Sequence, residues 1–170
     1  MNPRPTLKFG IYLPNVGWED VPSSEEMKAF AADAEASGFD SVWVEDRLLH
    51  PGIDILEAVT TLSFVASCTS QVQLGTSVLL FNLRNPIPLA KSLTTLNHLS
   101  DGRLVVGASL GGRPLEYEAS GIPTRTRVSR FVETVETLRS FWGQSGPEGT
   151  NIPTMLAESM TPRPTRSPIP

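Results

Sequence analysis

Short apolar runs alternate along this chain with longer stretches in which apolar residues recur every three or four positions. Leu7 to Leu13 predicts a first strand, ended by Pro14, Asn15 and Gly17. Ser23, Ser24, Glu25 and Glu26 then open a helix, with hydroxyls as caps and carboxylates in the first turn, where the helix dipole favours anions. Met27, Phe30, Ala31, Ala34 and Glu35 follow at helical spacing, and Ser37-Gly38 supplies the stop. Asp40 to Glu45 predicts a second strand, and Asp54 to Ser67 a second helix with Leu56, Val59, Thr60 and Ser63 on one face. Val72 to Leu80 is a third strand. Pro86 or Pro88 opens a helix that runs to Leu99 and ends at the turn Ser100-Asp-Gly102. Arg103 to Ser109 is a fourth strand. A last helix spans about Arg125 to Trp142, with Val128, Phe131, Val132, Val135, Leu138 and Trp142 as its apolar stripe.

The strands start near residues 7, 41, 72 and 103, a repeat long enough for a right-handed crossover to a parallel neighbour. The fold class is therefore α/β of the (β/α) TIM-barrel type, with about four of eight strand–helix units in residues 1–142. A complete barrel takes about 250 residues, more than the 170 of this chain. Residues 143–170 hold six of the 15 prolines and predict a linker or disordered tail.

Composition narrows the class. Apolar residues at 39% and charged residues at 19% describe an ordinary globular chain rather than a disordered or fibrous one. No apolar run approaches ~18 residues, so no membrane span is expected, and Met1 to Pro5 lacks a signal pattern. A cytoplasmic protein is the expectation. Cys68 is alone, which excludes an internal disulfide, and no Cys/His cluster offers a metal site. A net charge of −4 without any basic run argues against nucleic acid as a partner.

Several motifs follow one another in a fixed order. They are Phe9-Gly-Ile-Tyr-Leu-Pro14, Glu35-Ala-Ser-Gly-Phe-Asp-Ser-Val-Trp-Val44, Gly75-Thr-Ser-Val78, Arg84-Asn-Pro86 with Leu89-Ala-Lys91, Leu99-Ser-Asp-Gly-Arg103 and Gly107-Ala-Ser-Leu-Gly-Gly112. Together they resemble the N-terminal half of the bacterial-luciferase-like family of flavin- or deazaflavin-dependent oxidoreductases. The tail Thr161-Pro-Arg-Pro-Thr-Arg-Ser-Pro-Ile-Pro170 is similar to the linker before that family's fifth strand. The resemblance implies an eight-stranded barrel, FMN or deazaflavin (coenzyme F420) as cofactor, and a small organic substrate. It also implies a homodimer through the helices that follow strands two and three. By length the chain is expected to be a truncated member, and an open sheet alone is expected to associate or to be poorly soluble. A non-enzymatic module that binds a partner without turnover is the alternative reading.

Each motif also has a plainer explanation. Asp46 and Arg47 follow strand two on the rim where barrel active sites are built. The resemblance implies an Asp-His catalytic pair there. Arg47 cannot serve as a neutral base, but it can hold an anionic substrate or a reduced ring's charge. The plain reading is a rim salt bridge between Glu45 or Asp46 and Arg47. Gly75-Thr-Ser-Val78 matches a place where the family carries a bulge or a non-proline cis bond against the ring, which makes Thr76 and Ser77 cofactor candidates. Otherwise it is a buried strand end. Asn85 either hydrogen-bonds the ring's polar edge or opens a helix.

Gly107-Ala-Ser-Leu-Gly111 also reads as the G-x-S-x-G elbow of a hydrolase. That elbow needs a later histidine, and His50 and His98 both precede Ser109. As the end of a fourth barrel strand, Gly107, Ser109, Gly111 and Gly112 are instead candidates to lie against the cofactor. One deazaflavin branch of the family carries a catalytic acid where Gly112 stands, so its sugar-phosphate chemistry is not expected. His98 reads as a cation at a helix end and His50 as a rim residue, while Trp43, Trp142 and Cys68 are assigned to the core.

Overall fold

The computed structural model describes residues 7–143. The N-terminal Met1–Pro5 pattern and the proline-rich stretch from residue 144 lie outside them. The elements run β1 (Gly10–Tyr12), β2 (Val16–Gly17), α1 (Ser24–Ala36), β3 (Ser41–Val44), β4 (Asp54–Ile55), α2 (Ala58–Ala66), β5 (Gln73–Leu80), α3 (Pro86–Leu99), β6 (Leu104–Ser109), α4 (Pro114–Ala119) and α5 (Arg127–Phe141). Four strands form one parallel sheet in the order β1-β3-β5-β6. Each is joined to the next by a helical crossover, the repeat the hydrophobic pattern predicts. The α/β class and the parallel strand–helix architecture are as expected.

The helices start and stop where local chemistry directs them. The Ser23 hydroxyl accepts from the Glu26 amide while the Glu26 carboxylate accepts from the Ser23 amide, a capping box closing α1. Gly38 at φ +82° ends it, with the Phe39 amide reaching back to the Ala34 carbonyl. Pro86 stands in the first turn of α3, where its missing N–H costs nothing. One sheet face packs on the helices: Val42, Val44, Leu74, Leu79 and Leu104 meet Ala31, Leu62, Val65, Leu93 and Leu138, all under about 4% exposed.

The structure corrects several sequence expectations. The second helix begins at Ala58, because Asp54–Ile55 pairs antiparallel with Val16–Gly17 and Glu57 serves as N-cap. Of the expected stripe, Val59 is buried and Leu56 packs on the core, but Thr60 is exposed, and Ala58, Thr61, Leu62, Val65 and Ala66 are buried as well. Packing against both α1 and α3 covers more of its circumference than one stripe allows. In α5 Val128 and Val132 are exposed while Thr134 and Thr137 are buried. The Thr134 hydroxyl donates to the Arg130 carbonyl, which removes the penalty for its burial. Trp142 is a core residue, its indole N–H on Thr94 Oγ1. Cys68 is half-buried instead. Trp43 is also half-buried and belongs to the other sheet face.

Candidate functional site

That other face is open, and strand alternation decides what it displays. The Trp43 indole lies across both neighbouring strands, where a Cβ on Gly10 or Gly75 would collide with it. Its N–H donates to Ser41 Oγ at 2.8 Å. Gly10, Ser41, Trp43 and Gly75 therefore share the open face, with Tyr12 two residues along β1. Tyr12 is 53% exposed, and its phenol oxygen lies 2.7 Å from Ser77 Oγ on β5. The strand between them, β3, is bridged by this side chain.

At Ser77 the sheet departs from regular pairing. The register between β5 and β6 shifts between Thr76 and Leu79, and the Ser77–Val78 peptide is cis. Both features implied for this strand end are present. Thr76 is fully buried, and its hydroxyl donates to the Gly107 carbonyl at 2.8 Å. It fastens the bulge, so any approach of Thr76 to a ring is by its backbone rather than its side chain. Ser77 is half-buried and Val78 is 38% exposed. Both are accessible to solvent.

The glycines of the fourth strand end are required by the protein's own atoms. A Cβ at Gly107 would run into the Thr76 carbonyl oxygen, and one at Gly111 into the Leu80 side chain. Gly112 sits at φ +96° against the Tyr117 ring, a conformation only glycine adopts easily. Ser109 Oγ accepts from the Gly111 amide at 3.1 Å, which shapes the loop.

At the rim, Asp46 has a fully buried side chain. It accepts from the Leu80 amide at 2.9 Å and pairs with Arg84 at 2.8 Å. Arg84 also reaches Glu57 at 2.7 Å, leaving its Nε without a partner. Burial pushes the Asp46 carboxyl above the usual range, against the pull of Arg84 and the Leu80 N–H. Asp46 thus clamps the strand ends together, with its carboxylate closed off from solvent. Arg47 faces a different acid from those expected. Its guanidinium lies 3.7 Å from Glu116, and its side chain is 36% exposed.

Glu116 itself is buried and accepts from the amides of Leu48, Leu49 and Arg113. Burial opposes its ionisation, but those amides and Arg47 hold its carboxyl below the usual range. Asn85 is exposed and caps α3, its carboxamide oxygen accepting from the Ile87 amide. This is the helix-opening reading. His50 is half-buried at the rim with an unpartnered Nδ1, and His98 is exposed in the last turn of α3.

Sequence reasoning missed Tyr12, Arg84 and Glu116. Alternation alone places Tyr12 on the face of Gly10, so its signal was present. Arg84 and Glu116 gave none, because their partners lie 38 and 68 residues away.

The sequence profile described as luciferase-like monooxygenase matches residues 7–170. An F420-dependent glucose-6-phosphate dehydrogenase from Kineococcus radiotolerans is 38% identical over 122 residues, covering 68% of this chain and 36% of that protein. Among solved structures, the monooxygenase RslO1 from Streptomyces bottropensis superposes with a TM-score of 0.77 at 30% identity, over 96% of this chain and 52% of that one. The oxygenating constituent of 3,6-diketocamphane monooxygenase from Pseudomonas putida, in complex with FMN, shares the fold. Its TM-score is 0.70 at 18% identity, over 85% of this chain and 42% of that one. This chain spans about a third to a half of the length of these proteins. Homologues are thus F420-dependent, and structural neighbours bind FMN or F420. Among the described residues no helix is long and apolar enough to cross a membrane.

Proposed function

Since the chain belongs to the luciferase-like monooxygenase family, we propose that its open sheet face is the ring-binding part of a flavin- or F420-dependent oxidoreductase acting on a small organic substrate. The observation that carries this reading is the bulge at Ser77–Val78, on the sheet face opposite the one packed on the described helices, where Tyr12 and Ser77 supply paired hydroxyls. A flat ring would lie there. The bulge offers backbone and Val78 to its face, and the hydroxyls offer polar contact to its edge. When bound, such a ring supplies either hydride or the electrons that activate oxygen.

The chain's own residues do the positioning. Asp46 and Arg84 tie the ends of β3 and β5 together so that the rim keeps its shape. Arg47, partly exposed beside Glu116, offers a fixed positive charge to an anionic ring or substrate. The sugar-phosphate oxidation named for the Kineococcus relative is not proposed for this chain. No acid directly follows Gly111, and the next carboxylate, Glu116 in α4, is occupied by three backbone amides. A homodimer through α2 and α3, which expose Phe64 and Ile87, is proposed as well. Sedimentation of the purified chain tests it.

Titration of the folded chain with FMN and with F420, followed by cofactor fluorescence, tests the ring site. Saturable binding of either is expected, and the preferred one names the chemistry. A folded chain that binds neither refutes the proposal and leaves the non-enzymatic module.

A further inference from the structure

The Tyr12–Ser77 contact is unusual in what it joins. Tyr12 is on β1 and Ser77 on β5, and β3 lies between them. A phenol on an exposed position can keep its hydroxyl in water at no cost. Here it reaches across a whole strand to a hydroxyl on the bulge. Ordering a half-exposed tyrosine costs side-chain entropy, and one exposed neutral hydrogen bond returns little stability. Fixing Ser77 is the effect left to account for the arrangement.

Resting on the ring-site reading above, we propose that Tyr12 is a positioning residue that aims the Ser77 hydroxyl at an oxygen of a flat ring seated on the Ser77–Val78 bulge. Either hydroxyl of this 2.7 Å contact can donate; with Tyr12 as the donor, the Ser77 proton is the one turned to the ligand. A chain of two hydroxyls is a better donor than one, since each bond polarises the next. The ligand group it selects is a carbonyl-type oxygen on the ring edge.

The test is a double-mutant cycle read by cofactor binding. Wild type, Tyr12→Phe, Ser77→Ala and the double variant are titrated with FMN and with F420. Each single change is expected to weaken binding about fivefold, the worth of one hydrogen bond. The double variant is expected to be no weaker than either single one, because the two hydroxyls act in series. Bound-cofactor absorption is expected to shift between wild type and Tyr12→Phe, while the melting temperature stays the same. A purely structural contact would do the reverse. Unchanged affinity in Tyr12→Phe overturns the inference, and so does a double variant about 25-fold weaker, the product of two independent losses. In both cases the ring-site reading survives. Failure of wild type itself to bind either cofactor overturns both.

Discussion

Replacing Glu35 with glutamine isolates an anion held at the end of the sheet opposite the rim. Glu35, in the last turn of α1, accepts from the amides of Ser70, Gln71 and Val72 at 2.7–3.0 Å and from the Ser70 hydroxyl at 3.0 Å. Partial burial works against its charge, but those donors outweigh it and hold the carboxyl at about 2, against 4.5 ordinarily. A carboxyl depressed in the folded state stabilises it above the unfolded value, and that contribution fades as pH falls toward the folded one. The difference corresponds to at most ~3 kcal/mol at neutral pH, and solvent screening of a partly exposed group lowers it to ~2 kcal/mol. Glutamine keeps the shape, brings an N–H₂ toward three donors and carries no charge.

Urea unfolding of wild type and Glu35→Gln should therefore differ by ~1 M in midpoint near pH 7, for an m-value of ~2 kcal/mol/M. More than half of that gap should be gone by about pH 3, and nearly all by about pH 2. All other titrating groups cancel in the difference. A gap that stays constant between these values would refute the assignment of stability to the ionised carboxylate.

Other changes probe the rim and the sheet. Asp46→Ala strands Arg84 and the Leu80 amide in a buried place; because Glu57 still holds Arg84, the expected loss is ~3 kcal/mol, read as a melting temperature lower by ~6–12 °C. Gly107→Ala forces β6 away from the Thr76 carbonyl and should cost ~1–3 kcal/mol by denaturant titration, with weaker cofactor binding alongside. Arg103 donates to Ser100, Thr69, Val72 and Ala66 from one planar fork. Lysine cannot reproduce that fork, so Arg103→Lys should lose ~1–3 kcal/mol and Arg103→Ala no less, by the same measurement.

The strands and main helices were legible because each has a local cause: an apolar run, a capping serine, a proline in a first turn. The Ser23 capping box and the Pro86 start are read directly from neighbouring residues. The pairing of Val16–Gly17 with Asp54–Ile55 was not legible, since two residues carry no period and the partners are far apart in sequence. At the site, motif order pointed to the bulge at Thr76–Val78, but not to which side chains it turns outward. Asp46 looked like a reactive carboxylate because the sequence does not disclose Arg84 and the Leu80 amide closing over it. Burial is decided by those distant partners, so a residue's type alone does not separate a clamp from a catalyst.

Asn15 is fully buried just beyond β1. Its carboxamide donates to the carbonyls of Glu45 and Leu56 and accepts from the Glu45 amide, and its own carbonyl accepts from the Leu56 amide. These bonds close loops of 30 and 41 residues, so they form only after the strands that bring their ends together. The rim is therefore assembled late and opens early. Amide exchange at Glu45 and Leu56 should run ahead of the β5 core, and proteases should nick the loop between them before the sheet gives way.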